Sequence, residues 1–266
     1  MATGKKFERI ADDLRSQIRA EKLAPGEKLP SETKLAQEHA TSVPTVRQAL
    51  ALLQAEGMIE KEHGRGNFVR RPRRLISRSS GRHQWEKDRV KAKLEEGSAT
   101  DATEHDMGLD ADALVFSAMY TRVEADAELA EALGTEQDVP LLERIYRTRH
   151  HDERAPISLV RSYVPIYLIE ANPDLLEEAN EPWPGGTQSQ LHTVGIEVDR
   201  IAERVTARPP KAEEADELDL TPGTAVMVIE KSSIDIHDRV ADWSEIVLPG
   251  DRAASVFTTT LERWQQ

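Results

Sequence analysis

The residues able to do chemistry fall into two groups. Near the amino end, Ser42, Pro44, Thr45, Arg47 and Gln48 stand a short way before the turn His63-Gly64-Arg65-Gly66. Small polar groups and an arginine at the start of a helix can read base edges in a major groove. A glycine-rich turn tipped with arginine can lie along the backbone or the adjacent minor groove. Further on, Arg147 and Arg149 are two apart, as are Arg161 and Tyr163. In a strand each pair shares a side, and two neighbouring guanidiniums suit a carboxylate or phosphate.

These groups need elements to hold them. Val43, Val46, Leu50 and Leu53 recur at helical spacing. Ser42 is placed as an N-cap and Pro44 in the first turn, so Thr45, Arg47 and Gln48 stay off the buried stripe. Gly57 stops that helix. Met58 to Lys61 and Asn67 to Val69 then predict a short hairpin around the glycine turn. Upstream, Phe7, Ile10, Ala11, Leu14 and Ile18 predict an amphipathic helix. Ser31 starts a second one, packed through Leu35 and Ala36 and only partly capped, because Lys34 stands where a capping box wants an acid. Two short helices, a tight link and a third fit a helix-turn-helix with a wing.

The carboxy-terminal half alternates apolar and polar residues, as half-buried antiparallel strands do. Strands are expected at 114–123, 141–149, 157–164, 196–207, 225–234, 240–248 and 254–261. Helical segments are expected at 125–133, near 174–178, near 188–194 and at 211–218. Ser77 to Gly81 predicts a flexible boundary. The expected domains are 1–74, a linker at 75–84, and 85–266.

Composition narrows the options. The 266 residues carry a net charge of −13 and no cysteine, which excludes disulfides and thiolate metal sites. No apolar run approaches the roughly 18 residues of a membrane span, and the first residues lack an apolar export signal, so a cytoplasmic location is expected. The charge is divided: residues 1–74 hold 15 Lys+Arg against 10 Asp+Glu, and the remainder 20 against 38. A basic head beside a helix-turn-helix pattern favours DNA at that end.

The run Lys28-Leu-Pro-Ser-Glu-Thr-Lys-Leu-Ala, then Val46-Arg-Gln-Ala-Leu, Leu53-x-x-Glu-Gly and His63-Gly-x-Gly, resembles the DNA-binding domain of the GntR family of bacterial transcription regulators. The resemblance implies operator contacts from Thr33, Ser42, Thr45, Arg47, His63 and Gly64. Family members often carry arginine and threonine where this chain has Val43 and Pro44, which leaves the base preference open. Leu142-Glu-Arg-Ile-Tyr-Arg-Thr-Arg, Ser162-Tyr-Val-Pro, Glu203-Arg-Val-Thr-Ala-Arg-Pro-Pro and Leu248-Pro-Gly-Asp-Arg resemble the UTRA domain of its HutC branch. That implies an α+β protein whose second domain has a chorismate-lyase-like antiparallel sheet around a small-molecule site. By periodicity alone Arg147 and Arg149 read as surface charges; the resemblance raises them to effector contacts. With them come Arg161, Ser162 or Tyr163 (whichever faces inward), Glu203 and Asp242, while Trp243 reads as core.

Three functions follow from these residues: a ligand-responsive regulator, an enzyme on a lyase-like fold, or a DNA-binding protein whose second domain only dimerises. The first is expected: a homodimer on palindromic operator DNA, with a polar or anionic effector. Neither a cofactor nor a metal is expected. There is no Gly-x-Ser-x-Gly elbow, and Gly64-x-Gly66 lacks the third glycine of a dinucleotide loop. His150 and His151, adjacent in a strand, are expected to point opposite ways.

Overall fold

The computed structural model describes residues 5–62, 64–71, 73–93, 106–108 and 113–261. It divides into two units, 1–73 together with 209–225, and 74–208 together with 226–266.

The first unit is built on α1 (Lys6–Arg19), α2 (Glu32–Glu38) and α3 (Val43–Ala55), followed by β1 (Ile59–Glu62) and β2 (Gly66–Val69). One apolar cluster joins them: Ile10 and Leu14 of α1, Leu35 of α2, Val46, Leu50 and Leu53 of α3, and Ile59 and Val69 of the hairpin. The Ser31 hydroxyl accepts the Lys34 N–H at 3.2 Å, capping α2. Ser42 makes no such bond; its hydroxyl meets that of Thr45 at 2.9 Å. Arg15 of α1 grips the Glu56 carboxylate after α3 through two nitrogens, at 2.9 and 2.7 Å. The hairpin gains a third edge from the α1–α2 connection: Leu29 donates to Asn67 O and Val69 to Glu27 O, both at 2.8 Å.

Residues 209–225 contain α8 (Ala212–Glu217), whose flank holds the fully buried Leu218. Arg73 donates to the Leu218 and Asp219 carbonyls at 3.3 and 2.5 Å. Gly223 adopts φ +87°, and a Cβ there would stand 2.8 Å from the Ala55 carbonyl oxygen at the end of α3.

The second unit carries one six-stranded antiparallel sheet in the order β4-β5-β6-β9-β8-β7. Its strands are β4 (Leu114–Glu124), β5 (Pro140–His150), β6 (Ser158–Pro165), β7 (Val198–Arg208), β8 (Val226–Asp235) and β9 (Val240–Pro249). On one face lie the short α6 (Ile166–Ile169), two 3-10 turns and α7 (Gly186–Thr193), packed through Ile169, Leu175 and Leu191 onto Leu142 and Val164. On the other, α5 (Ala127–Leu133) buries Ala130 and Leu133 against Leu141 and Tyr163.

The stretch expected to be a loose linker is ordered into two elements. Ile76–Ser79 forms β3, which pairs in parallel with β10 (Ala253–Val256), and Arg82–Lys93 forms α4. Compositional cues favoured a loop at Ser77–Gly81; a pairing partner some 175 residues away in the chain overrides them. The last strand correspondingly stops at Val256 rather than Leu261.

Gly223→Ala is expected to destabilise the first unit by about 1–3 kcal/mol, because it combines a disfavoured φ with a backbone overlap. Gly64→Ala, with φ +75° but open space around it, carries only the conformational part. Urea unfolding of the two variants against the parent, read as midpoint and slope, checks this difference.

Candidate DNA-reading surface and effector cavity

Pro44, Arg47 and Gln48 of α3 are exposed, as are Ser42, Thr33 of α2, and Gly64 and Arg65 at the hairpin tip. Thr45 and Gly66 are half-buried. His63 lies outside the described residues. The Arg47 Nε donates to Glu32 Oε2 at 2.7 Å, so the one basic side chain of α3 is held across to the first turn of α2. Arg65 pairs with Glu62 and lies 5.4 Å from the Phe68 ring centroid, with Lys28 Nζ 5.9 Å from the same ring. Gly66, at φ +123°, lets the strand leave the turn with the Lys28 stem directly above it.

The second unit carries a partly open cavity of about 160 Å³ over the α6–α7 face of the sheet. Phe116 of β4, Tyr146 and Thr148 of β5, Ser158, Val160 and Ser162 of β6, Ser244, Ile246 and Leu248 of β9, and Lys231 of β8 line it from the sheet. Glu181, Trp183, Thr187 and Gln190 close it from the α7 side, and Ile76, Arg78, Arg82, His83 and Glu86 from β3 and α4.

Beneath the floor sits a buried ion pair. Arg144, 2% exposed, donates to Ser162 Oγ at 2.8 Å, Asp242 Oδ1 at 3.0 Å and Gln190 Oε1 at 2.7 Å. Asp242 is fully buried and also accepts from the hydroxyls of Ser162 (2.5 Å), Ser244 (3.1 Å) and Ser233 (3.3 Å). Burial alone would raise its pKa, but the charges of Lys231 and Arg144 and these hydroxyls hold it below the usual carboxylate range. Next to it, Glu181 Oε1 accepts from Tyr146 OH at 3.0 Å, from Gln190 Nε2 at 2.7 Å, and from the Tyr120 hydroxyl. Burial pushes the Tyr120 phenol up to about 12, so both phenols stay protonated donors at neutral pH.

At the opposite side, Arg78 pairs with Glu203 at 3.1 Å, and Arg82 with Asp106 at 2.9 Å and Glu86 at 3.7 Å. His83 lies 3.6 Å from Glu86 and 3.2 Å from Glu203. Desolvation works against the charged imidazole, yet the two carboxylates outweigh it and its pKa is raised. Glu86 and Glu203 are held down to about 2: burial opposes this, and His83 with the neighbouring arginines prevails.

Of the residues expected to meet the effector, Ser162 lines the cavity, Asp242 supports its floor and Glu203 braces Arg78 and His83. Arg147, Arg149, Arg161 and Tyr163 lie on the other face of the sheet. Tyr163 donates to Glu143 at 2.9 Å and packs against Trp243, and Arg149 donates to the His151 and Glu153 carbonyls. The reason is parity: Tyr146 and Thr148 line the cavity and Arg144 lies on the same face beneath it, so their odd-numbered neighbours point away. The rings of His150 and His151 do not diverge; their centroids are 4.5 Å apart, since β5 ends at His150 and His151 already belongs to the turn. Sequence reasoning missed Arg144, Tyr146, Lys231, Glu181 and the whole Arg78–Glu86 group.

A small head with an exposed helix and wing, joined to a sheet domain that carries a cavity of mixed polar and apolar lining, defines a DNA-binding regulator with a ligand-binding domain. Comparison with known proteins agrees. Residues 6–69 match bacterial regulatory proteins of the gntR family, and residues 94–254 match the UTRA domain. The chain belongs to the GntR regulators that carry a UTRA domain; it is a transcriptional regulator and not an enzyme. An uncharacterised HTH-type transcriptional regulator of Streptomyces coelicolor is 28% identical over 258 residues, covering 94% of this chain and 90% of that protein. The HTH-type transcriptional repressor NagR of Bacillus subtilis is 25% identical over 251 residues, covering 92% and 91%. A crystal structure of a GntR-family transcriptional regulator shares the fold with a TM-score of 0.63 at 24% identity, covering 97% of this chain and 99% of that one.

Two outcomes are expected. If Arg47 reads a base, Arg47→Ala is expected to cost about 1–3 kcal/mol of operator affinity and to relax base preference at the position it contacts, measured by fluorescence anisotropy on a panel of single-base operator variants. The depressed pKa values of Glu86 and Glu203 contribute stability that is present above their ordinary value of 4.5 and is lost as pH falls toward about 2. Urea midpoints at pH 7 and pH 3 should therefore differ more in the parent than in Glu203→Gln.

Proposed function

We propose that this chain is a homodimeric, cytoplasmic repressor that binds a palindromic operator and is released by a small polar or anionic effector. Among the described residues no helix is long and apolar enough to cross a membrane. The observation that carries the reading is the pairing of an exposed α3 and wing in one unit with a cavity in the other whose apolar lining is set with charged and hydroxyl side chains. The residues offered to DNA are Thr33, Ser42, Pro44, Thr45, Arg47, Gln48, His63, Gly64, Arg65 and Gly66. In the cavity, Ser162 and the Arg144–Asp242 pair set the floor against which the ligand rests.

The names of relatives support the repressor reading. NagR is named a repressor, and so is the MngR protein of Escherichia coli, which is 40% identical over 67 residues. A ligand that prefers one of two head spacings lowers operator affinity by its differential affinity for the two states.

Selection of bound DNA from a random pool tests the first part. Inverted half-sites about one helical turn apart are expected; a single unrepeated site would overturn the dimer. Anisotropy titrations of the recovered operator against small metabolites test the second, with loss of DNA binding on saturation as the expected result.

A further inference from the structure

Residues 209–225 fall inside the UTRA match at 94–254, yet they group with residues 1–73. The gntR match ends at residue 69 and does not include them. They join β7 to β8, antiparallel neighbours whose pairing starts at Arg208↔Val226. Two residues suffice to turn such a pair. The chain between these strands is far longer, and the extra length reaches the end of α3.

Two sets of contacts seat it there. Thr221 to Thr224 form a turn closed by the Thr224 N–H on the Thr221 carbonyl at 3.0 Å, with the two hydroxyls 2.9 Å apart. Pro222 and Gly223 stand at its centre, and φ +87° at Gly223 gives it the form of a type II turn. The proline fixes one φ and the glycine is needed for the other, so the turn is stiff. It lies against the last residue of α3. A Cβ on Gly223 would come within 2.8 Å of the Ala55 carbonyl oxygen, and one on Gly57 would stand 4.0 Å from Thr221 Oγ1. Ahead of the turn, the Arg73 guanidinium, 18% exposed, donates to the Leu218 and Asp219 carbonyls where α8 ends. The last carbonyls of a helix lack internal partners, and a cation there also meets the negative end of the helix. A crossover that merely spanned two strands would need neither the seated turn nor the fully buried Leu218.

The strands that leave this segment belong to the cavity. β8 brings Lys231 into its lining and Ser233 to the Asp242 carboxylate. β7 brings Glu203, which braces Arg78 and His83. The helix on which the turn rests carries Arg47 and Gln48.

We propose that residues 209–225 position the DNA-reading helix and carry the state of the cavity to it, with Arg73 and Gly223 as positioning residues. This rests on the reading of the cavity as the effector site and adds the route from there to α3. A ligand against Lys231 that displaces β8 draws the Thr221–Thr224 turn with it. The turn is too stiff to absorb the shift, so the end of α3 follows. By linkage the route runs both ways, and operator binding is felt in β8.

The test uses the full-length chain with its selected operator duplex as the probe. Hydrogen–deuterium exchange is followed by mass spectrometry with and without saturating operator. Amides of 218–224 and of 226–235 are expected to exchange several-fold more slowly in the complex, while those of α5, at 127–133, keep their rate. Arg73→Gln removes the grip on the two carbonyls, and Gly223→Ala pushes the turn off Ala55. At equal operator occupancy, each should cut the effect on 226–235 to less than half of its size in the parent, a loss that altered stability alone does not produce at fixed occupancy. Should Gly223→Ala be too unstable to bind operator, Arg73→Gln decides. An unchanged 226–235 in the parent, an effect above half size in both variants, or a slowing shared equally by α5 overturns the proposal. The two levels separate cleanly. If a small molecule releases the operator while 226–235 never responds to DNA, the regulatory reading stands and the route falls. If no duplex is bound at all, both fall.

Discussion

The second unit is organised around one interaction, the buried contact between Arg144 and Asp242. A guanidinium and a carboxylate removed from water are expensive unless every donor and lone pair is met. Here Ser162, Ser233, Ser244 and Gln190 supply the missing bonds. The pair spans β5 and β9 with β6 between them, so these three strands have one register in which the charges are satisfied. A slip of one residue would place Arg144 on the outer face and leave Asp242 buried alone. The cavity floor inherits that rigidity, because Ser162 and Ser244 serve both the ion pair and the cavity lining.

The first unit uses the opposite strategy. Its core is apolar, and its charges are spent at the rim: Arg15 with Glu56, Arg47 with Glu32, Arg65 with Glu62. Exposed pairs of this kind add little stability, so they hold side chains in place at small cost. When a phosphate or a base edge arrives, an arginine can exchange its carboxylate without unfolding anything. The acids also temper the basic head and lower its attraction to DNA of arbitrary sequence.

Much of this was legible in the chain. The head is local: its helices follow the spacing of Ile10, Leu14, Val46 and Leu50, Ser31 caps α2 and the glycine turns sit where their residues predict, while Ser42 starts α3 without a side-chain capping bond. The six large strands begin and end within about two residues of the alternating segments, since alternation is itself the signature of a sheet with differing faces. Which face β5 turns to the cavity was not legible. Leu142, Arg144 and Tyr146 form one amphipathic set and Leu141, Glu143, Ile145 and Arg147 another, so both parities look half-buried. The stretch from β3 to α4 was hidden for another reason. Ser77 to Gly81 has turn composition, α4 has almost no apolar stripe in RHQWEKDRVKAK, and both are fixed by distant partners. The Arg78–Glu86 cluster therefore had no sequence signal beyond an unremarked pair of arginines four apart.

The parallel pairing of β3 with β10 has a kinetic meaning. Antiparallel neighbours such as β4 and β5 can zip as soon as their hairpin has been made, but Ile76 waits for Ala253. On a ribosome the DNA-binding helices are complete long before that partner exists, and most of the sheet can assemble meanwhile. The wall formed by β3 is thus the last part to be latched. A newborn chain passes through an interval in which its first unit is formed while its cavity is still open along one side.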